Sequence, residues 1–94
     1  VRAAIAVTLT RDGDPLAFDV TVRDAASETR HEATLSQADY VRLACGATPE
    51  RLVEAAFRFL LDREPKESIM RRFDVSVISR YFPEFVEKLP FYLV

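Results

Sequence analysis

Ninety-four residues, 49% of them apolar and 30% charged, suit one compact domain (1–94) with a core that needs no staples. Thirteen Lys and Arg stand against fifteen Asp and Glu, and neither half (five basic and seven acidic over 1–45, eight of each over 46–94) has the positive excess that phosphate binding demands. The single cysteine, Cys45, excludes an internal disulfide framework; no apolar run nears the ~20 residues of a membrane span or resembles a signal peptide, so a cytoplasmic protein is expected.

The first third reads as strands. Ala3, Ile5, Val7 and Leu9 alternate onto one face, as do Leu16, Phe18, Val20 and Val22. Between them lies "RDGDP", and Asp12-Gly13 suits the tip of a two-residue type I′ turn. That turn would set Leu9 against Leu16, Val7 against Phe18, Ile5 against Val20 and Ala3 against Val22, with Pro15 at the strand start. A third strand fits 29–35. A loop at 24–27 would place Phe18 against Ala33 and Leu16 against Leu35, turning Thr29, His31, Ala33 and Leu35 inward.

Helices follow. Ser36 is an N-cap residue with Asp39 at the third helical position, and Leu35 and Tyr40 have the spacing of a hydrophobic staple. Gly46 ends that helix, and Thr48-Pro49 opens the next, whose stripe is Leu52, Val53, Ala56, Phe57, Leu60 and Leu61, through residue 63. Pro65 breaks it and starts a short helix near 65–72. Asp74 caps a further one, with Phe73 and Ile78 at staple spacing. Ile78, Tyr81, Phe82, Phe85 and Leu89 form one stripe, interrupted at Pro83, while the β-branched "VSVIS" leaves a strand at 75–79 as the alternative. "PFYLV" is an apolar tail that must dock on the core or on a partner. The expected fold is α+β: a three-stranded antiparallel meander (1–35), then about four helices (36–94) packed on one face.

Chemistry-bearing residues are sparse. His31 and Cys45 are the only ones of their types, and a strand histidine near the core edge and a small buried thiol at a helix end explain them better than a nucleophilic pair. Asp12, Asp14 and Asp19 lack the spacing of a calcium loop, and a zinc site would have to lean on carboxylates. No glycine-rich phosphate loop is present. No catalytic, cofactor-binding or metal-binding residue, and no small-molecule substrate, is assigned. Glu54–Arg58, Glu67–Arg71 and Glu84–Lys88 have the i,i+4 spacing of helix ion pairs, which leaves Arg63, Lys66, Arg72 and Arg80 unpaired by that rule.

Two resemblances add to this. Residues 29–61, "TRHEATLSQADYVRLACGATPERLVEAAFRFLL", resemble the ribbon-helix-helix pattern of the Arc and MetJ repressor class. That resemblance implies a strand paired with a dimer mate in the DNA major groove, with Arg30, Glu32 and Thr34 facing the bases, in a regulator or an antitoxin. The outward residues Asp19, Arg23, Arg30 and Glu32 sum to zero charge, so nucleic acid is not the favoured partner. Residues 57–85, "FRFLLDREPKESIMRRFDVSVISRYFPEF", resemble a block shared by a family of small uncharacterised bacterial proteins, which implies a bacterial origin and no enzymatic role. Eight of the ten aromatic residues lie at or beyond residue 57, more than one small core readily hides. The expected function is therefore protein–protein interaction, self-association first, with Tyr81, Phe85, Phe91 and Tyr92 as the candidate interface.

Overall fold

The computed structural model describes residues 3–94. Four strands, β1 (Ala4–Arg11), β2 (Leu16–Arg23), β3 (Glu28–Leu35) and β4 (Arg72–Asp74), form one sheet in the order β1-β2-β3-β4. The helices are α1 (Gln37–Leu43), α2 (Pro49–Leu61), α3 (Ile78–Tyr81) and α4 (Phe85–Tyr92), with 3₁₀ turns at Lys66–Ser68 and Val75–Val77. The class is α+β, but the sheet has four strands and is mixed. β1, β2 and β3 run antiparallel, and β4 lies parallel to β3 through Glu32–Arg72, Ala33–Phe73 and Thr34–Asp74.

The β2–β3 register is the expected one, with Leu16 opposite Leu35 and Phe18 opposite Ala33. Asp24 closes the loop: its Oδ1 accepts from the amides of Ala26 and Ser27, at 2.9 and 3.0 Å. The β1–β2 register differs from the expected one by two residues. Val7 faces Val20, Leu9 faces Phe18, Ile5 faces Val22, and a bulge lies between Leu9 and Arg11. A two-residue turn at Asp12-Gly13 would have put Pro15, which lacks an amide hydrogen, into the ladder opposite Thr10. The chain instead spends Asp12–Pro15 on a wider loop. That loop braces α1, because Asp14 Oδ1 accepts from the Gln37 amide (3.1 Å) and Gln37 Nε2 donates to the Gly13 carbonyl (2.8 Å). An even shift leaves every side chain on its original face.

Both long-range helix starts are capped by side chains. Ser36 Oγ accepts from the Asp39 amide at 3.0 Å, and Thr48 Oγ1 accepts from the Arg51 amide at 3.2 Å, with Pro49 in the first turn. Cys45 and Gly46 both adopt positive φ, 49° and 86°, and so reverse the chain between α1 and α2. Helix α2 ends at Leu61 and is buried on two sides. Val53, Ala56, Phe57 and Leu60 are joined in the core by Ala55 and Phe59, outside the expected stripe.

The segment after Pro65 departs most from expectation. Residues 65–72 hold only the 3₁₀ turn Lys66–Ser68, and Arg72–Asp74 extend to become β4. The Glu32 amide donates to the Arg71 carbonyl at 2.6 Å, and the Thr34 hydroxyl donates to Asp74 Oδ1 at 2.6 Å. The alternative strand at 75–79 is instead a 3₁₀ turn leading into α3, capped by Asp74 accepting from the Ser76 amide at 3.0 Å. Pro83 separates α3 from α4, as its missing donor requires. The tail "PFYLV" is helical through Tyr92.

Candidate interaction surfaces

The aromatic C-terminal half divides into a core and a surface. Phe59 sits at its centre, fully buried, with Phe85, Tyr92 and Phe82 edge-on at 5.0, 5.8 and 5.9 Å. The Arg63 guanidinium lies 3.6 Å from the same ring centroid and donates to Glu84 (3.1 Å) and to the Phe59 carbonyl (3.1 Å). The Tyr92 hydroxyl donates to Asp62 at 2.5 Å, and Arg51 donates to the Tyr92 carbonyl at 2.8 Å, so α4 is fastened to α2 at both edges. Of the four interface candidates, Phe85 is 1% exposed and belongs to the core, out of reach of any partner. Tyr92 is half-buried, and its hydroxyl is already engaged. Tyr81 and Phe91 stand out, 67% and 70% exposed.

Tyr81 rims an apolar groove of about 320 Å³ lined by Leu60, Ile69, Met70, Phe73, Ile78 and Phe82. Glu64 is its one carboxylate, and burial pushes that carboxyl above its ordinary value. The volume lies at the small end of binding pockets and fits an apolar side chain.

The outer sheet face carries the other candidates. Arg30 is exposed and donates to Glu28, which Arg23 also engages, each at 3.2 Å. Hydrogen bonds from Arg30 and then Arg23 hold the Glu28 carboxyl below its ordinary value. Glu32 accepts from Arg72 at 3.3 Å, and Thr34 is bound to Asp74. The β3 edge that a ribbon would offer to a dimer mate is occupied by β4 from Glu32 to Thr34. Arg30, Glu32 and Thr34 do share the outer face, but inside a neutral network.

β1 is an end strand, and among the described residues nothing pairs with its outer edge. From Ala4 to Thr10 it reads "AIAVTLT", without a charge or a proline. Ile5, Val7 and Leu9 point inward yet are only half-buried, whereas Phe18, Val20 and Val22 beside them on β2 are fully covered.

The remaining candidates have structural partners. The His31 ring is buried against Phe57 (centroids 5.4 Å apart); its nitrogens meet the Thr29 hydroxyl at 2.9 Å and the Met70 carbonyl at 2.8 Å, so neither is turned toward a thiol. Cys45 is exposed. No group of three His, Cys, Asp or Glu near enough to hold a metal occurs among the described residues. Sequence spacing gave no sign of Lys66, which is 5% exposed and donates to Asp24 (2.7 Å) and Glu67 (2.6 Å). Of the three i,i+4 pairs only Glu54–Arg58 forms, at 3.9 Å, because Glu67 and Glu84 bind Lys66 and Arg63 instead. Arg72 is also paired, which leaves Arg80 as the one cation of that quartet with no ion pair among the described residues. No helix among the described residues is long and apolar enough to cross a membrane. Comparison with protein-family models, with curated proteins and with solved structures finds nothing that matches this chain.

Proposed function

We propose that this protein is a small non-enzymatic module that acts through protein contacts, and first through association with a second copy of itself. The observation that carries the reading is the apolar surface left once the core has closed: Ile5, Val7 and Leu9 stay half-buried on the end strand β1, Tyr81 and Met70 rim a groove and stay exposed, and Phe91 and Val41 are exposed elsewhere. Single apolar residues at a surface are ordinary, but a groove bounded by several marks a contact site. Many of the cations are paired internally. Arg23, Arg30, Arg63, Lys66 and Arg72 each have a carboxylate partner, so the cations of the outer sheet face and of the Phe59 cluster are already engaged. The resemblance of residues 57–85 to a block of small bacterial proteins supports a bacterial origin and adds no chemistry.

Sedimentation equilibrium over a range of concentrations tests the proposal. The expected result is a mass that rises from 10.7 kDa toward twice that value. A mass of 10.7 kDa at every concentration would contradict it.

A further inference from the structure

We infer that two copies join through β1, edge to edge and antiparallel about a two-fold axis at Val7, to give one continuous eight-stranded sheet. The inference rests on the self-association reading and names its surface. An exposed strand edge is a row of unpaired amides and carbonyls, and monomeric proteins usually guard it with Lys, Pro or a bulge. Here the guard is missing where it matters. The stretch Ala4–Thr10 has no charge and no proline, and the bulge sits beyond Leu9, at the far end.

The strand is also complementary to itself. In an antiparallel ladder, directly opposed residues share a face, so a two-fold centred on Val7 opposes residues whose numbers sum to fourteen. Val7 then meets its own copy, and Ile5 meets Leu9 on the inner face. On the outer face Ala6 meets Thr8, and the regular ladder ends at Ile5 and Leu9, since the bulge between Leu9 and Arg11 breaks the alternation beyond them. Arg11 lies past the bulge at one end of each strand, so the two Arg11 side chains stand roughly 25 Å apart along the strands, well beyond the ~8 Å screening length. The axis runs perpendicular to the sheet, so both helical layers fall on the same side. Ile5, Val7 and Leu9 of each copy come together there, and the half-buried row of the monomer gains its missing cover. The groove at Tyr81 is lined by the far end of α2, by residues 68–73 and by α3, with no residue of β1, so it stays open for another partner.

The outward residues of β1 supply a test that leaves the fold alone. Ala6 and Thr8 are exposed, and across the monomer they face Thr21 and Asp19, which tolerate a lysine. The double variant Ala6→Lys/Thr8→Lys places lysine opposite lysine twice across the proposed seam. It should weaken the dimer about tenfold or more, with the circular dichroism of the folded chain kept. The variant Ala6→Glu/Thr8→Lys places glutamate opposite lysine twice and should dimerise at least as well as the unaltered chain. Tyr81→Asp, in the groove, should dimerise normally. Sedimentation equilibrium reads all four proteins. If the unaltered chain is a dimer that the double-lysine variant leaves intact, or that Tyr81→Asp abolishes, the β1 surface is wrong and self-association still stands. If the double-lysine and charge-swapped variants fail alike, the Val7 register is wrong. A strictly monomeric unaltered chain overturns both the surface and the reading beneath it.

Discussion

Replacing Phe59 by leucine probes how the C-terminal half is held. Leucine keeps much of the apolar burial at a fully buried position, so the loss falls on what the ring alone provides. The ring makes three edge-on contacts, to Phe85, Tyr92 and Phe82, each worth ~0.5–1.5 kcal/mol beyond burial. The Arg63 guanidinium over its face adds ~0.5–2 kcal/mol. Neighbouring contacts do not add in full, so the lower part of each range applies, and Phe59→Leu should cost about 2–4 kcal/mol. A chain of this length has a total stability of roughly 5–14 kcal/mol. The melting temperature should therefore fall by about 10–25 °C, read by circular dichroism with urea titration as a cross-check. Tyr81→Leu, on the predicted stripe that holds Phe82 and Phe85 but itself exposed, should cost less than about 0.5 kcal/mol. A Phe59→Leu cost below ~1 kcal/mol, or an equal cost for Tyr81→Leu, would refute the division of this stretch into core and surface.

Three further outcomes are expected. Thr48→Ala removes the acceptor for the Arg51 amide and should lower stability by about 1 kcal/mol in urea titration, with no change in slope. Gly46→Ala puts a side chain at φ 86° and should cost about 1 kcal/mol by the same assay, although nothing crowds the new carbon. The Lys66 ammonium, followed by the Ser27 and Ala26 amides, hold the Asp24 carboxyl down from 3.8 to about 2. A carboxylate depressed on folding contributes stability above its unfolded value and loses it as the pH falls through its folded one. The melting temperature should therefore drop between pH 3.8 and about 2, and Asp24→Asn should make that drop shallower; equal slopes would contradict the assignment.

Local signals carried most of the fold. Ser36, Thr48-Pro49, Gly46 and Asp74 each occupy the cap or turn position that their chemistry suits, and the strand alternation placed every inward residue of β2. What stayed hidden depends on contacts distant in sequence. β4 is three residues long, and its strand character comes from β3 forty residues earlier, which no local pattern in "RRFDV" announces. Phe59 lies off the main stripe of α2 and is buried only because α4 returns across that helix. Ion pairs followed the same rule. Lys66 reaches Asp24 on the β2–β3 loop and Arg63 reaches Glu84 before α4, so the helical spacing of Glu67 and Glu84 pointed to the wrong partners. For the interface, Tyr81 and Phe85 share a stripe in sequence, but the break at Pro83 turns Phe85 into the core and leaves Tyr81 in solvent.

Amide hydrogen exchange on β1, followed as the protein is diluted, tests the proposed assembly most directly. Amides on the β2 side of β1 are held within the monomer, so their protection should not depend on concentration. Amides on the outer edge between Ala4 and Thr10 should be protected at high concentration and lose that protection on dilution, along the same curve as the sedimentation mass. Outer-edge amides that exchange freely at every concentration, while their inner neighbours stay protected, would show that β1 is not the contact.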